Sequence, residues 1–138
     1  MRESFIVDCS VALAWVFGNQ ATEYTRELLM KQRRGAALVV PSLWYYEVAN
    51  GLVVGLRRKL LTADNHADAL RFFKSLRLTR DDEGVEEAFS VTSTLSQRYG
   101  LTVYDASYLE LALRRRIPFA TRDVALQAAA RKSGVELL

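Results

Sequence analysis

Along this chain, short apolar runs bounded by turn residues alternate with longer segments whose apolar positions recur at helical spacing. Residues 5–8 read as a short buried strand, after which Ser10 is positioned to cap a helix reaching Phe17. A second helix is expected over 20–33, ended by Gly35, and "AALVV" at 36–40 is the next strand. Pro41 and Ser42 form a helix-start signature, and the helix they open runs to Lys59. Thr62 caps a further helix to Lys74, with a brief strand around 76–78. Val85, Ala88, Phe89, Thr92, Leu95 and Tyr99 predict one apolar helix face over 82–99, stopped by Gly100. Residues 104–116 read as helix, 117–121 as strand, 123–133 as a last helix and 135–138 as a terminal strand. Repeated alternation of this kind predicts an α/β fold, a parallel sheet with helices on both faces. In such sheets ligands bind beyond the carboxyl ends of the strands, where the strand order reverses.

At 138 residues, half of them hydrophobic and a quarter charged, the sequence is expected to form a single domain, 1–138, with a core that needs no covalent staple. It has no linker, repeat or low-complexity segment, and no window approaches the roughly 18 to 20 uncharged apolar residues of a membrane span. The N-terminus lacks the build of a signal peptide, so a cytoplasmic protein is expected. Cys9 is the only cysteine and His66 the only histidine, which excludes an internal disulfide and a zinc site. Net charge is +3, and 15 of the 19 basic residues are arginine, whose fork matches phosphate geometry. The basic clusters at 31–34, 57–59 and 114–116 each fall near a helix end. Cations there answer the helix dipole as well as they would a nucleic acid, and both readings stay open.

The acidic residues change the picture further. Asp8 ends the first strand and Asp123 follows the "PFAT" strand, so both project from one edge of the sheet. Glu47 lies one to two turns into the helix after the second strand, with Asn50 on the same face, and Asp105 opens the helix "YDASYLELAL". Asp105 and Asp123 also have the type and position of helix caps. Asp8 has no such duty if Ser10 supplies the cap, and Glu47 stands in a helix that is apolar nearly all round. Carboxylates gathered together repel one another and take up protons unless a cation sits among them. An all-oxygen donor set selects a hard cation, Mg²⁺ or Mn²⁺, which can polarise a phosphodiester and lower the pKa of a water. The hydroxyls of Ser10 and Thr121, two residues from Asp8 and Asp123, are candidates to orient a ligand or water.

The segments "IVDCSVALAW", "VPSLWYYEVANGL", "LTVYDASYLELA" and "FATRDVAL" resemble, in this order and over almost the whole chain, the acidic motifs of PIN domains. They are most similar to the VapC-type toxin ribonucleases of toxin–antitoxin pairs. The resemblance implies a three-layer α/β/α sandwich and a Mg²⁺- or Mn²⁺-dependent endoribonuclease. The family's four acidic positions fall on Asp8, Glu47, Asp105 and Asp123, with Ser10 and Thr121 as polar accessories. Cys9 departs from the small residues familiar at its position, and Arg122 occupies a variable one, facing either substrate or solvent. The family further implies an RNA substrate, a VapB-type antitoxin covering the acidic groove, a toxin homodimer and a toxin–antitoxin hetero-oligomer. The helix at 43–56 fits this, since an apolar surface on every side exceeds what one sheet face can bury.

Other chemistries fail at specific positions. An adhesion-type D-x-S-x-S site would need a hydroxyl where Ala12 stands, and a D-x-D phosphatase would need an acid at Ser10. A phospho-receiver would need a lysine after a late strand, but none lies between Lys74 and Lys132. The remaining alternative is a PIN-like module that binds RNA or protein without cutting.

Overall fold

The structure, a computed structural model, describes residues 2–138. Four short parallel strands form the centre: β1 (Ser4–Val7), β2 (Ala37–Pro41), β3 (Leu78–Asp81) and β4 (Phe119–Ala120), in the order β3-β2-β1-β4. Ser4 pairs with Ala37, Phe5 with Leu38 and Ile6 with Val39 on one side of β1, while Ile6 and Val7 pair with Phe119 and Ala120 on the other. Leu38 through Pro41 pair with Leu78 through Asp81. Residues covered on both sheet faces must be continuously apolar, and Phe5, Ile6, Val7, Leu38, Val40, Phe119 and Ala120 are all fully buried.

Right-handed crossovers fix the layers. The chain steps from β1 to β2 and β3 in one direction through α1 (Cys9–Ala14), α2 (Glu23–Arg33), α3 (Ser42–Arg57) and α4 (Ala63–Ser75), which puts these helices on one face. It then returns past β1 to β4 through α5 (Ser93–Tyr99) and α6 (Val103–Arg115), which cover the other face together with α7 (Val124–Ser133). The expected three-layer α/β/α sandwich is thus the observed fold. The strand order reverses between β1 and β4, so the crevice for a ligand opens where Asp8 and Thr121 leave the sheet. Among the described residues no helix is long and apolar enough to cross a membrane.

Several boundaries differ from the sequence reading. Asp8, not Ser10, is the N-cap of α1: it is still extended (ψ 176°), and its side chain accepts from the Val11 N–H. That helix ends at Ala14 rather than Phe17, with a 3₁₀ turn at Gly18–Gln20, and α2 starts at Glu23, led by the Thr22–Thr25 capping box. β3 begins two residues later than expected, Thr102 rather than Asp105 leads α6, and the terminal segment contributes a single bridge, Phe119 to Leu137.

The helix expected over 82–99 is broken into a 3₁₀ turn (Gly84–Glu87), a π turn (Ala88–Thr92) and α5. The Ser93 hydroxyl bonds back to Ala88 O at 2.6 Å, one of the local alternatives by which serine competes with the helical ladder. The wide turn rotates the apolar face: Thr92 and Leu95 stay buried, whereas Val85 and Phe89 stand in solvent. Gly100 ends α5 at φ 64°, in the left-handed region that glycine adopts without strain.

α3 buries Trp44, Val48, Leu52 and Gly55 at helical spacing. Its glycines admit α1: a methyl at Gly55 would stand 2.6 Å from the Phe17 ring, and one at Gly51 2.5 Å from a Leu13 methyl. Neighbouring helices do not cover the whole apolar surface, and Tyr46 remains 78% exposed. Trp15 is a packing residue, with Nε1 donating to Thr25 O at 2.8 Å and its ring edge-on to Phe72.

Candidate metal centre

Asp8 is buried at the carboxyl end of β1 with both oxygens engaged. Oδ1 accepts from the Ser10 hydroxyl at 2.6 Å and from the Val11 N–H at 3.1 Å, and Oδ2 accepts from the Thr121 hydroxyl. Helix capping accounts for the first oxygen, so Asp8 does have a structural duty that the sequence reading denied it. Capping does not require burial, however, since most N-cap carboxylates sit at solvated helix ends.

Thr121, 1% exposed after β4, links the two strand ends. While its hydroxyl donates to Asp8, it accepts from the Asp123 N–H at 3.0 Å. Asp123 in turn caps α7, its Oδ1 accepting from the Leu126 N–H at 2.9 Å. The tight β4-to-α7 turn therefore holds Asp123 beside Asp8, across the point where strand order reverses. Arg122, between them, is half-buried and held by the protein itself. Its guanidinium donates to Ser10 O at 2.9 Å and to Gln20 Oε1 and O at 3.0 and 3.3 Å, bracing this turn against α1 and the 3₁₀ turn that follows it.

Glu47 and Asp105 enter from the two helix layers. Glu47 is half-buried on α3, and its Oε1 accepts from the Tyr108 hydroxyl at 2.5 Å. Asp105 lies in the first turn of α6, one turn before Tyr108 on the same face. The Thr102 hydroxyl caps this helix by accepting from the Asp105 N–H at 3.0 Å, which leaves the Asp105 carboxylate free of that task. Asn50 is exposed on α3, one turn past Glu47.

Three of these acids, Asp8, Glu47 and Asp105, are raised by burial and by carboxylates of the same set. Burial pushes the Asp8 carboxyl above its ordinary range, and Asp123 adds to the rise, against the pull of its Ser10, Thr121 and Val11 hydrogen bonds. Glu47 is raised by burial, then by Asp105 and Asp8, with the Tyr108 hydrogen bond acting the other way. Asp105 is raised by burial, then by Asp123 and Asp8, with Thr102 opposing. Cys9, beside them, has its thiol pushed up to about 12 by burial and by Glu47, Asp8 and Asp105. A thiol so hard to ionise is a poor ligand, which leaves the donors as carboxylate and hydroxyl oxygens, a set that suits a hard divalent cation. In this conformation, among the described residues, no three His, Cys, Asp or Glu side chains close tightly enough to enclose an ion. Closing them around an ion brings like charges nearer, which requires an opposing charge.

A second acidic group, at Asp81 and Glu110, is of another kind. Asp81, at the end of β3, accepts from Arg114 at 2.9 and 2.7 Å, from Arg115 at 3.1 and 2.8 Å and from the Gly84 N–H at 2.8 Å. Glu110 accepts twice more from Arg114. Burial works to raise the Asp81 carboxyl, but the Arg114, Gly84 and Arg115 hydrogen bonds outweigh it and hold it low. Paired with arginines, these acids need no metal. The basic cluster at 114–116 is accordingly consumed in part by the fold, while Arg57, Arg58 and Lys59 are exposed.

The sequence reading did not single out Tyr108, Gln20, Asp81 or Glu110. Two signals were available: a tyrosine three residues after Asp105, and a glutamate inside the apolar run "YLELAL".

The sequence model of the PIN domain matches residues 5–132. A protein named ribonuclease VapC3, from Pyrobaculum aerophilum, is 32% identical over 111 residues, 78% of this chain and 79% of that protein. Among solved structures, PAE2754 from Pyrobaculum aerophilum superposes with a TM-score of 0.66 at 24% identity, covering 99% of this chain and 92% of its own. VapBC2 from Rickettsia felis, bound to a DNA fragment from its promoter, superposes with a TM-score of 0.67 at 12% identity, covering 98% and 97%. At those identities the likeness is one of fold.

Proposed function

Because the chain belongs to the PIN-domain family, we propose that it is a metal-dependent endoribonuclease and the toxin of a VapBC-type toxin–antitoxin pair, working in the cytoplasm as the single domain 1–138. The observation that carries this reading is the set of acids at the β1–β4 switch, where Asp8 is buried with Asp123 at the next strand end and where Asp8, Glu47 and Asp105 are raised above their ordinary range by burial and by neighbouring carboxylates of the set. Capping accounts for Asp8 and Asp123 singly but not for Glu47 and Asp105 standing near them, and the Asp81–Arg114 group illustrates how the same chain neutralises acids that serve structure alone. The similarity to a VapC ribonuclease over most of the chain supports the same conclusion.

In this reading Asp8, Glu47, Asp105 and Asp123 hold Mg²⁺ or Mn²⁺. The bound ion would supply Lewis-acid stabilisation of the phosphodiester's developing charge and a water acidic enough to attack phosphorus. The protein's own part is to fix the donors before RNA arrives. Thr121 keeps Asp8 and Asp123 together, Ser10 orients Asp8, and Arg122 braces the turn that carries Thr121 and Asp123. In this reading RNA reaches the site past Asn50, which is exposed one turn after Glu47 on α3.

A homodimer and a VapB-type antitoxin, together in a hetero-oligomer, form part of the proposal. Tyr46, Val103, Tyr104 and Val124 are exposed apolar residues within a few positions of Glu47, Asp105 and Asp123, a pattern expected of a surface that is covered in an assembly. A module that binds RNA without cutting is the alternative, and retention of all four mutually repelling acids argues against it.

The test is cleavage of a mixed RNA substrate by purified protein in Mg²⁺ or Mn²⁺, against EDTA and an Asp105→Asn variant. Asp105 caps nothing, so the variant is expected to fold and to lose activity by roughly 100-fold or more. Cleavage that survives EDTA, or an unimpaired variant, rejects the proposal.

A further inference from the structure

Tyr108 has no place in the mechanism above, yet it is 1% exposed and its ring stacks on Phe119 of β4 at 5.9 Å and 14°. Stacking fixes the ring, so the direction of its hydroxyl is set by the packed interior rather than by the surface. That hydroxyl reaches from α6 across to α3 and donates to Glu47 Oε1 at 2.5 Å. Glu47 has one rotatable bond more than an aspartate and is only half-buried on its own helix. Nothing on α3 itself accounts for its orientation.

We infer that Tyr108 is a positioning residue for the proposed metal centre: its hydroxyl holds Oε1 of Glu47 and leaves Oε2 as the oxygen offered to the cation. The inference rests on the reading of the four acids as a metal site. Its physical content is pre-organisation. A flexible carboxylate that must be ordered when a cation binds gives up part of the binding free energy, and one ordered in advance does not. Partners of this type, acting through a ligand rather than on the metal, typically alter metal affinity about 10- to 100-fold. The same contact couples the helix layers, because Asp105 stands one turn before Tyr108 on α6 while Glu47 stands on α3. One hydrogen bond thus sets the separation of two donors that come from opposite faces of the sheet.

Tyr108→Phe removes the hydroxyl and keeps the ring. Three measurements on the purified full chain separate a positioning role from a structural one: Mn²⁺ affinity by calorimetry without RNA, melting temperature in EDTA, and RNA cleavage as a function of Mn²⁺. We expect Mn²⁺ affinity to fall roughly 10-fold, the melting temperature in EDTA to move by less than about 4 °C, and cleavage at saturating Mn²⁺ to recover most of the wild-type rate with KM for RNA unchanged. In a Glu47→Gln background the same substitution should have no further effect on Mn²⁺ affinity, since the two side chains act as one unit. Mn²⁺ affinity within twofold of wild type, or an undiminished loss in the Glu47→Gln background, overturns the inference. Absence of Mn²⁺ binding by the wild-type protein overturns instead the reading of the site itself.

Discussion

Asp8→Asn should make the metal-free protein more stable while abolishing its response to metal. The amide keeps an oxygen for the Val11 N–H and the Ser10 hydroxyl, and asparagine is as good an N-cap as aspartate. What disappears is a negative charge at a site 5% exposed, with Asp123 beside it. Relieving a desolvated charge that lacks a counter-ion is worth on the order of 1–3 kcal/mol. Against this, Thr121, which donates to Oδ2, must turn its hydroxyl to accept from the new amide, at about 1 kcal/mol. The net gain is about 1 kcal/mol, or about 3 °C in melting temperature for a chain of this size.

The pH dependence follows from the direction of the Asp8 shift. A carboxyl raised above its ordinary 3.8 in the folded state destabilises the fold at neutral pH. The loss vanishes as pH falls from the raised value through 3.8, where folded and unfolded chains are both protonated. The advantage of Asp8→Asn in EDTA should therefore be larger at pH 7.5 than toward pH 4, where it closes. Mn²⁺ at 100 times its dissociation constant adds about 2.7 kcal/mol to the wild type and should invert the order. Scanning fluorimetry at both pH values, with EDTA or Mn²⁺, reads all of this. A variant less stable than wild type at pH 7.5 in EDTA, a gap indifferent to pH, or equal stabilisation of both proteins by Mn²⁺ would refute the reasoning.

Asp81→Ala, by contrast, leaves Arg115 without its acceptor and Arg114 with Glu110 as its buried partner, and should cost about 1.5–3 kcal/mol in urea unfolding at pH 7, with Mn²⁺ affinity of the folded protein unchanged. Because the Asp81 carboxyl is held low, its contribution is present above pH 3.8 and is lost as pH falls below that value. The α3 glycines should differ: Gly55→Ala drives a methyl into the buried Phe17 ring and should cost about 1–3 kcal/mol. Gly51→Ala meets only the mobile tip of Leu13, and the better helix propensity of alanine should bring it near neutral. Equal unfolding free energies for the two glycine variants would show that the α1–α3 approach is not as close as described.

What was legible in the sequence was local. The apolar runs at 5–7 and 37–40, the Thr62 cap, the stop at Gly100 and the Asp123 cap each depend on a few neighbouring residues, and each is found in the structure. Asp8 and Ser10 were confused because both are good cap residues two positions apart, and only the residue at which the extended backbone of β1 turns helical decides between them. The 82–99 helix failed for the opposite reason. Its spacing was helical, but Gly84 is held to Asp81 and the serines bond back to local carbonyls, so tertiary and side-chain contacts overrode periodicity. Tyr108 and Asp81 were invisible because their partners lie 61 and 33 residues away, and no local pattern reports a pairing at that distance.

The central claim is that Asp8, Glu47, Asp105 and Asp123 are separate side chains which a hard cation draws into one site. Anomalous scattering from a crystal soaked in Mn²⁺ tests this most directly. The account predicts a peak at about 2.1 Å from an oxygen of Asp8 and from at least one of the other three acids. A peak confined to other residues, or none at a Mn²⁺ concentration that supports cleavage, would contradict it.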